Sequence, residues 1–214
     1  METRLLRTDP AHPDPAILQE AGRILRAGGL VVMPTETVYG LAADALNPEA
    51  VAALRAAKAR PEEKPLPVMV SGAADIPMFT TESPSNALSL AAAFWPGPLT
   101  LVLEANQRVG ESVHAGTGKV GLRAPDHAVA QGILLAAGRP LALTSANIAG
   151  QAPARSAQEA LAALNGRVDL IVDAGPAALG EPSTVLDLTC DPPRILRPGG
   201  VSIERLRRLL SDLA

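Results

Sequence analysis

The chain has 214 residues, 47% of them hydrophobic and 19% charged, with a formal net charge of −3. That length can bury one sizeable core, and the slightly acidic balance argues against a surface coated in basic charge for nucleic acid. One cysteine and three histidines without ligand spacing exclude a disulfide framework and a thiolate metal cluster.

Aromatic residues make up only 2% of the chain, so leucine, valine, isoleucine and alanine must fill the core. The N-terminal METRLLRTDP lacks the apolar centre of a signal peptide, and no apolar run is long enough to span a bilayer. A cytoplasmic protein with no membrane contact is the expectation.

Asp14 and Pro15 open a first helix, with proline at the turn where its missing N–H costs nothing. Ile17, Leu18, Ala21, Ile24 and Leu25 form its apolar stripe, and Gly28-Gly29 stops it. Residues 30–33, LVVM, read as a strand buried on both faces, and Pro34 ends its ladder. Thr35, Glu36, Thr37 and Tyr39 then crowd into five positions before Gly40. Two readings stand for this stretch. A strand running out into hydroxyls and a carboxylate is where an open α/β sheet places a ligand. Alternatively, it is a hairpin loop whose threonines satisfy only turn backbone.

Asn47-Pro48-Glu49 begins a second helix that runs through Leu54 towards Lys58. Strands are expected over 66–70, 99–104 and 120–123, with a helix over about 86–94 between the first two. Pro125-Asp126 opens a helix reaching Ala137, and 141–144 is a strand. Ser156-Ala157-Gln158-Glu159 has the form of a capping box at a helix start. Short strands follow at 170–172, 184–188 and 194–196, and Ser202 caps a last helix carrying Ile203, Leu206, Leu209, Leu210 and Leu213 on one face. Helices and strands alternate, but the late strands crowd together. The expected fold is therefore α/β with a twisted, mixed sheet and flanking helices, in one domain over 1–214.

Several expected strand ends carry chemistry. Lys58 and Arg60, with Lys64 nearby, form a positive cluster suited to phosphate oxygens; the bland reading is cations facing the negative end of a helix. Thr144-Ser145-Ala146-Asn147 repeats the opening pattern, small hydroxyls and an amide after a buried strand, or else it is an Asx or Ser turn. Arg123, Ser183 and Arg197 also stand at strand ends. Familiar phosphate motifs are absent: Gly116-Thr117-Gly118-Lys119 is followed by Val120 where a P-loop needs Ser or Thr.

In order along the chain, PTETVYGL (34–41), KAR (58–60), WPGPLTLVL (95–103), VGLRAPDH (120–127), TSAN (144–147), PSTVLDL (182–188) and ILRPG (195–199) resemble the YrdC/Sua5 family of threonylcarbamoyl-adenylate synthases. The resemblance implies a YrdC-like (DHBP synthase-like) open α/β fold with a positively lined cavity. It also implies a nucleotidyltransferase that joins L-threonine, bicarbonate and ATP, with Mg²⁺, into threonylcarbamoyl-AMP and pyrophosphate. The product would pass to a tRNA threonylcarbamoyl-transferase complex, and a weak contact with tRNA itself is left open. The family's Lys-x-Arg and Ser-x-Asn groups fall on Lys58, Arg60, Ser145 and Asn147, which the resemblance makes catalytic; these four with Arg197, and with Lys64 from the local positive cluster, are the expected ATP-binding residues. Thr35, Thr37, Arg123 and Ser183 fall on substrate-binding positions, and no protein metal ligand is expected. The chain looks like the short, single-domain form. Met69, Lys119 and Pro153 depart from residues common in relatives. Two alternatives are a tRNA- or double-stranded-RNA-binding module, weakened by the charge of −3 and the few aromatics, and a carbamoyl-transfer domain for another acceptor.

Overall fold

Apolar residues alternate between two cores along the first buried strand. Val31 and Met33 belong to one hydrophobic cluster and Val32 to the other, so this strand is covered on both faces. In the computed structural model, which describes residues 2–210 and 212–213, the elements run β1 (Arg4–Arg7), α1 (Pro15–Arg26), β2 (Val31–Met33), β3 (Gly40–Asp44), α2 (Pro48–Ala57), β4 (Val68–Met69), α3 (Ile76–Phe79), α4 (Ser85–Phe94), β5 (Leu99–Glu104), α5 (Glu111–His114) and β6 (Lys119–Arg123). They continue with α6 (Ala128–Ala137), β7 (Leu141–Ser145), α7 (Ala157–Leu164), β8 (Leu170–Asp173), β9 (Thr184–Asp187), β10 (Arg194–Arg197) and α8 (Ile203–Arg207).

The described strands form a ten-stranded sheet in the order β1-β8-β2-β3-β7-β4-β6-β5-β9-β10. It is mixed, as expected: β8 pairs in parallel with β1 and β2, whereas β3 is antiparallel to both β2 and β7. Helices α1 and α6 build the core on one face, and α2, α4 and α7 contribute to the larger core on the other. Gly22 lets α1 approach α6 closely, because a Cβ there would lie 2.6 Å from the Ala136 carbonyl carbon. Among the described residues no helix is long and apolar enough to cross a membrane.

Caps set most helix starts. Asp14, Asn47, Ser156 and Ser202 each accept a backbone N–H of the first turn, as their sequence context predicts. The capping box is shifted by one residue: Glu159 Oε2 accepts the N–H of Arg155 rather than that of Ser156. The helix expected from Pro125 starts at Ala128, because His127 is the cap and its Nδ1 accepts the Val129 N–H. The strand expected over 66–70 shrinks to Val68–Met69, since Pro65 and Pro67 have no N–H to give a ladder. The last helix ends at Arg207 rather than running to Leu213. Strands β1 and β3 have no counterpart in the sequence expectations.

Candidate active site

Residues 34–39 show the turn of the hairpin reading, set against a cavity. They form the connection of the β2–β3 hairpin, whose strands pair Met33 with Gly40. Thr35 Oγ1 donates to the Val38 carbonyl (2.6 Å), accepts the N–H groups of Thr37 and Val38 (both 3.3 Å) and lies 2.8 Å from Thr37 Oγ1. The threonines therefore do organise the turn. The same turn also walls a cavity of 170 Å³, lined by Thr35, Thr37, Arg60, Met69, Thr100, Arg123, Thr144, Ser145, Pro153, Ser183 and Arg197, among others.

The cavity lies over the two-residue strand β4. Strand β7 runs antiparallel to β4 while β6 runs parallel to it, so Ser145 and Arg123 end their strands at opposite margins of the sheet. A purely parallel sheet would gather such residues at one carboxyl edge; this mixed sheet brings them together across its face. Ser145 pairs with Gly40, which sets the Thr144–Asn147 segment against the hairpin turn. Gly40 packs closely there: a Cβ would lie 2.7 Å from Leu143 Cδ1 and would force that side chain to move.

On the other side, β9 is parallel to β5, with Leu99 opposite Thr184, and this brings Thr100 Oγ1 within 2.8 Å of Ser183 Oγ. A register shift between Ile195 and Arg197 re-aims the end of β10. Arg197 then donates from Nε and Nη2 to the Ser183 carbonyl (3.1 and 2.8 Å) and from Nη2 to Ser183 Oγ (3.1 Å). Gly199 closes this corner, since any Cβ would overlap the Pro182 carbonyl oxygen.

Three arginines, Arg60, Arg123 and Arg197, thus face one cavity. Burial and the neighbouring Arg55 and Arg197 lower the pKa of Arg60, and burial and Arg123 lower that of Arg197. Arg60 Nη2 donates to the Pro65 carbonyl (2.7 Å), while its Nε is buried without a partner. Arg123 Nη2 donates to Glu36 Oε1 at 2.7 Å and its Nε to the Gly97 carbonyl at 3.2 Å. An anion entering the cavity would relieve a cationic cluster that the protein only partly neutralises.

The expected site residues divide. Thr35, Thr37, Arg60, Arg123, Ser145, Ser183 and Arg197 meet at the cavity, and three do not. Lys58 is only 2% exposed and does not line it. Its Nζ donates instead to the Ser145 carbonyl (2.7 Å) and to Thr144 Oγ1 (3.0 Å), and its own carbonyl accepts the Ala149 N–H. Burial first, and the charge of Arg60 second, bring its pKa down to about 8. Asn147 is 6% exposed and lines a neighbouring depression; its Nδ2 donates to the carbonyls of Ile148 and Gln151 (both 2.9 Å), and its Oδ1 is buried without a partner. Lys64 is exposed and lies outside the cavity lining.

One contributor, Thr100, escaped the sequence reading, and a second, Tyr39, was named there without a role. Thr100 sits inside an apolar strand, where a hydroxyl carries no signal of its own. Tyr39 is buried in the cavity wall, and burial pushes its hydroxyl up to about 12. That hydroxyl donates to the Gly175 carbonyl (2.6 Å), while the Tyr39 backbone bonds to Ala146 and Ala154. One residue therefore ties the hairpin turn to two neighbouring connections, β7–α7 and β8–β9.

Comparison with known proteins places this arrangement. A family model for the Sua5/YciO/YrdC domain, described as "Telomere recombination", matches residues 23–199. A putative threonylcarbamoyl-AMP synthase of Mycobacterium tuberculosis is 42% identical over 202 residues, covering 94% of this chain and 92% of that protein. The threonylcarbamoyl-AMP synthase of Pyrococcus abyssi is 39% identical over 193 residues, and the match covers 90% of this chain but 57% of that protein's length. The crystal structure of P. abyssi Sua5 complexed with L-threonine superposes with a TM-score of 0.96 at 36% identity, covering 99% of this chain and 63% of that one. On these matches the chain belongs to the Sua5/YciO/YrdC family.

Proposed function

We propose that this chain is a threonylcarbamoyl-AMP synthase, using L-threonine, bicarbonate and ATP and releasing pyrophosphate. The observation that carries the reading is the convergence of three arginines and several hydroxyls on one small cavity whose lining includes no carboxylate. Its 170 Å³ is below the roughly 300–1,000 Å³ of drug-sized ligand sites. It suits an amino acid, and the nucleotide phosphates would lie at Arg60 and Arg197.

In this reading Arg123 takes the threonine carboxylate, and Thr37 and Ser183 face its polar groups. The neutral amine adds through its lone pair to the bicarbonate carbon, and water leaves to give a carbamate. A carbamate oxygen attacks the α-phosphorus of ATP, the bond to the β-phosphate oxygen breaks, and pyrophosphate departs. Positioning and stabilisation of negative charge supply most of the catalysis of such a transfer. Arg60 and Arg197 would bind phosphate oxygens as planar forks. Lys58 would act behind them, holding Ser145 in place. Among the described residues there is no group of three or more His, Cys, Asp or Glu that could hold a metal ion; Mg²⁺ would enter with ATP and supply charge neutralisation for its phosphates. The reading includes one domain, a cytoplasmic setting, and delivery of the adenylate to a tRNA-modifying transferase.

Pyrophosphate release tests the reading. It should require threonine, fall modestly with serine, which keeps the hydroxyl, and fall strongly with valine, which replaces it. Equal rates with all three would refute the assignment of the pocket.

A further inference from the structure

Glu36 lies between the two hydroxyls of the hairpin turn, and the chemistry above gives it no task. Its side chain is buried, and its Oε1 accepts from Arg123 Nη2 at 2.7 Å. A second nitrogen of the same guanidinium, Nε, donates to the Gly97 carbonyl at 3.2 Å. The backbone carbonyl of Glu36 is itself held, by the N–H of Leu179 at 2.8 Å. The guanidinium is thus held at two of its three nitrogens, by acceptors whose own backbone is hydrogen-bonded to Leu179 and Ala124.

The pairing is one-pronged. Glu36 Oε2 is sealed from solvent and has no partner among the described residues. An arginine and a carboxylate that only neutralise each other would form the two-pronged fork, which satisfies both oxygens. Here the second prong is given up. A buried carboxylate oxygen without a donor is costly, and the compensating feature is that Nη1 of Arg123, which no described residue takes, stays available to the cavity that Arg123 lines.

We propose that Glu36 is a positioning residue for amino-acid recognition: it holds Arg123 so that its unused donors meet the substrate carboxylate. The proposal rests on the reading of Arg123 as the amino-acid-binding group. It makes the acid of the turn, flanked by hydroxyls that shape the pocket, the part that aims the pocket's charge.

A double-mutant cycle tests it, with the KM for threonine and for ATP measured separately by pyrophosphate release. Glu36→Ala should raise the KM for threonine at least about tenfold and that for ATP less than about twofold. Glu36→Gln, which keeps one acceptor oxygen and the side-chain volume, should fall between wild type and Glu36→Ala. In an Arg123→Lys background, which keeps the charge but loses the planar fork, Glu36→Gln should change the threonine KM by less than about twofold. If Glu36→Ala does not fold, the Gln arm carries the cycle. Equal losses from Glu36→Gln in both backgrounds, or an equal rise in both KM values, would overturn the inference while leaving the synthase reading intact. A wild-type protein without threonine-dependent pyrophosphate release would overturn both.

Discussion

Replacing Lys58 by methionine, a residue of similar length with no charge, gives a prediction with a definite sign. The Lys58 ammonium is almost fully buried, and its pKa lies at about 8, against the usual 10.5, chiefly through burial. Below about pH 8 both folded and unfolded chains carry the proton, and the folded state bears the full cost of the buried charge. Between about 8 and 10.5 the folded state has lost the proton while the unfolded state still binds it, so this residue makes stability rise with pH. Above 10.5 both are neutral and the cost is gone. At ~1.4 kcal/mol for each pH unit, the interval corresponds to about 3 kcal/mol. Urea unfolding of wild type and Lys58→Met across this range isolates the effect, because other titrating groups cancel in the difference. The stability of wild type relative to the variant should climb by about 3 kcal/mol from neutral pH to about pH 10.5. A flat difference curve would refute the picture of a buried ammonium bonded to the Ser145 carbonyl.

Further expectations concern the corners of the site. Gly199→Ala should push the Pro182–Ser183 backbone off Arg197 and cost about 1–3 kcal/mol in urea unfolding; an unchanged midpoint would contradict the close approach. Ala59 has a φ of +52°, so Ala59→Gly should stabilise the chain by roughly 1 kcal/mol, and a destabilised variant would speak against that backbone. Ser145→Leu should fill the cavity and abolish threonine-dependent pyrophosphate release with a near-wild-type melting temperature; retained activity would move the pocket elsewhere.

Most elements with their own local signal were legible in the sequence: α1, α2 and α7 through their caps, β2 and β5 through their apolar runs. Strand β3, GLAAD, was not, because nothing in a Gly- and Ala-rich segment favours a strand. It is made one by ladders to β2 on one side and β7 on the other. Strand β1 lies at the sheet edge with exposed arginines, and its sequence reads as a polar leader. The three cavity arginines were legible as cations at element ends. Lys58 and Asn147 were found but misplaced, since sequence pattern shows that a side chain is polar and not which way it points. Glu36 was visible beside its threonines, yet its partner lies 87 residues away at the end of another strand.

The reaction itself is read by incubating the protein with ATP, L-threonine and ¹³C-bicarbonate and analysing the products by mass spectrometry. An adenylate with the mass of threonylcarbamoyl-AMP carrying one ¹³C should form in step with pyrophosphate. Pyrophosphate without a labelled adenylate, or no product at all with threonine present, would contradict the synthase reading.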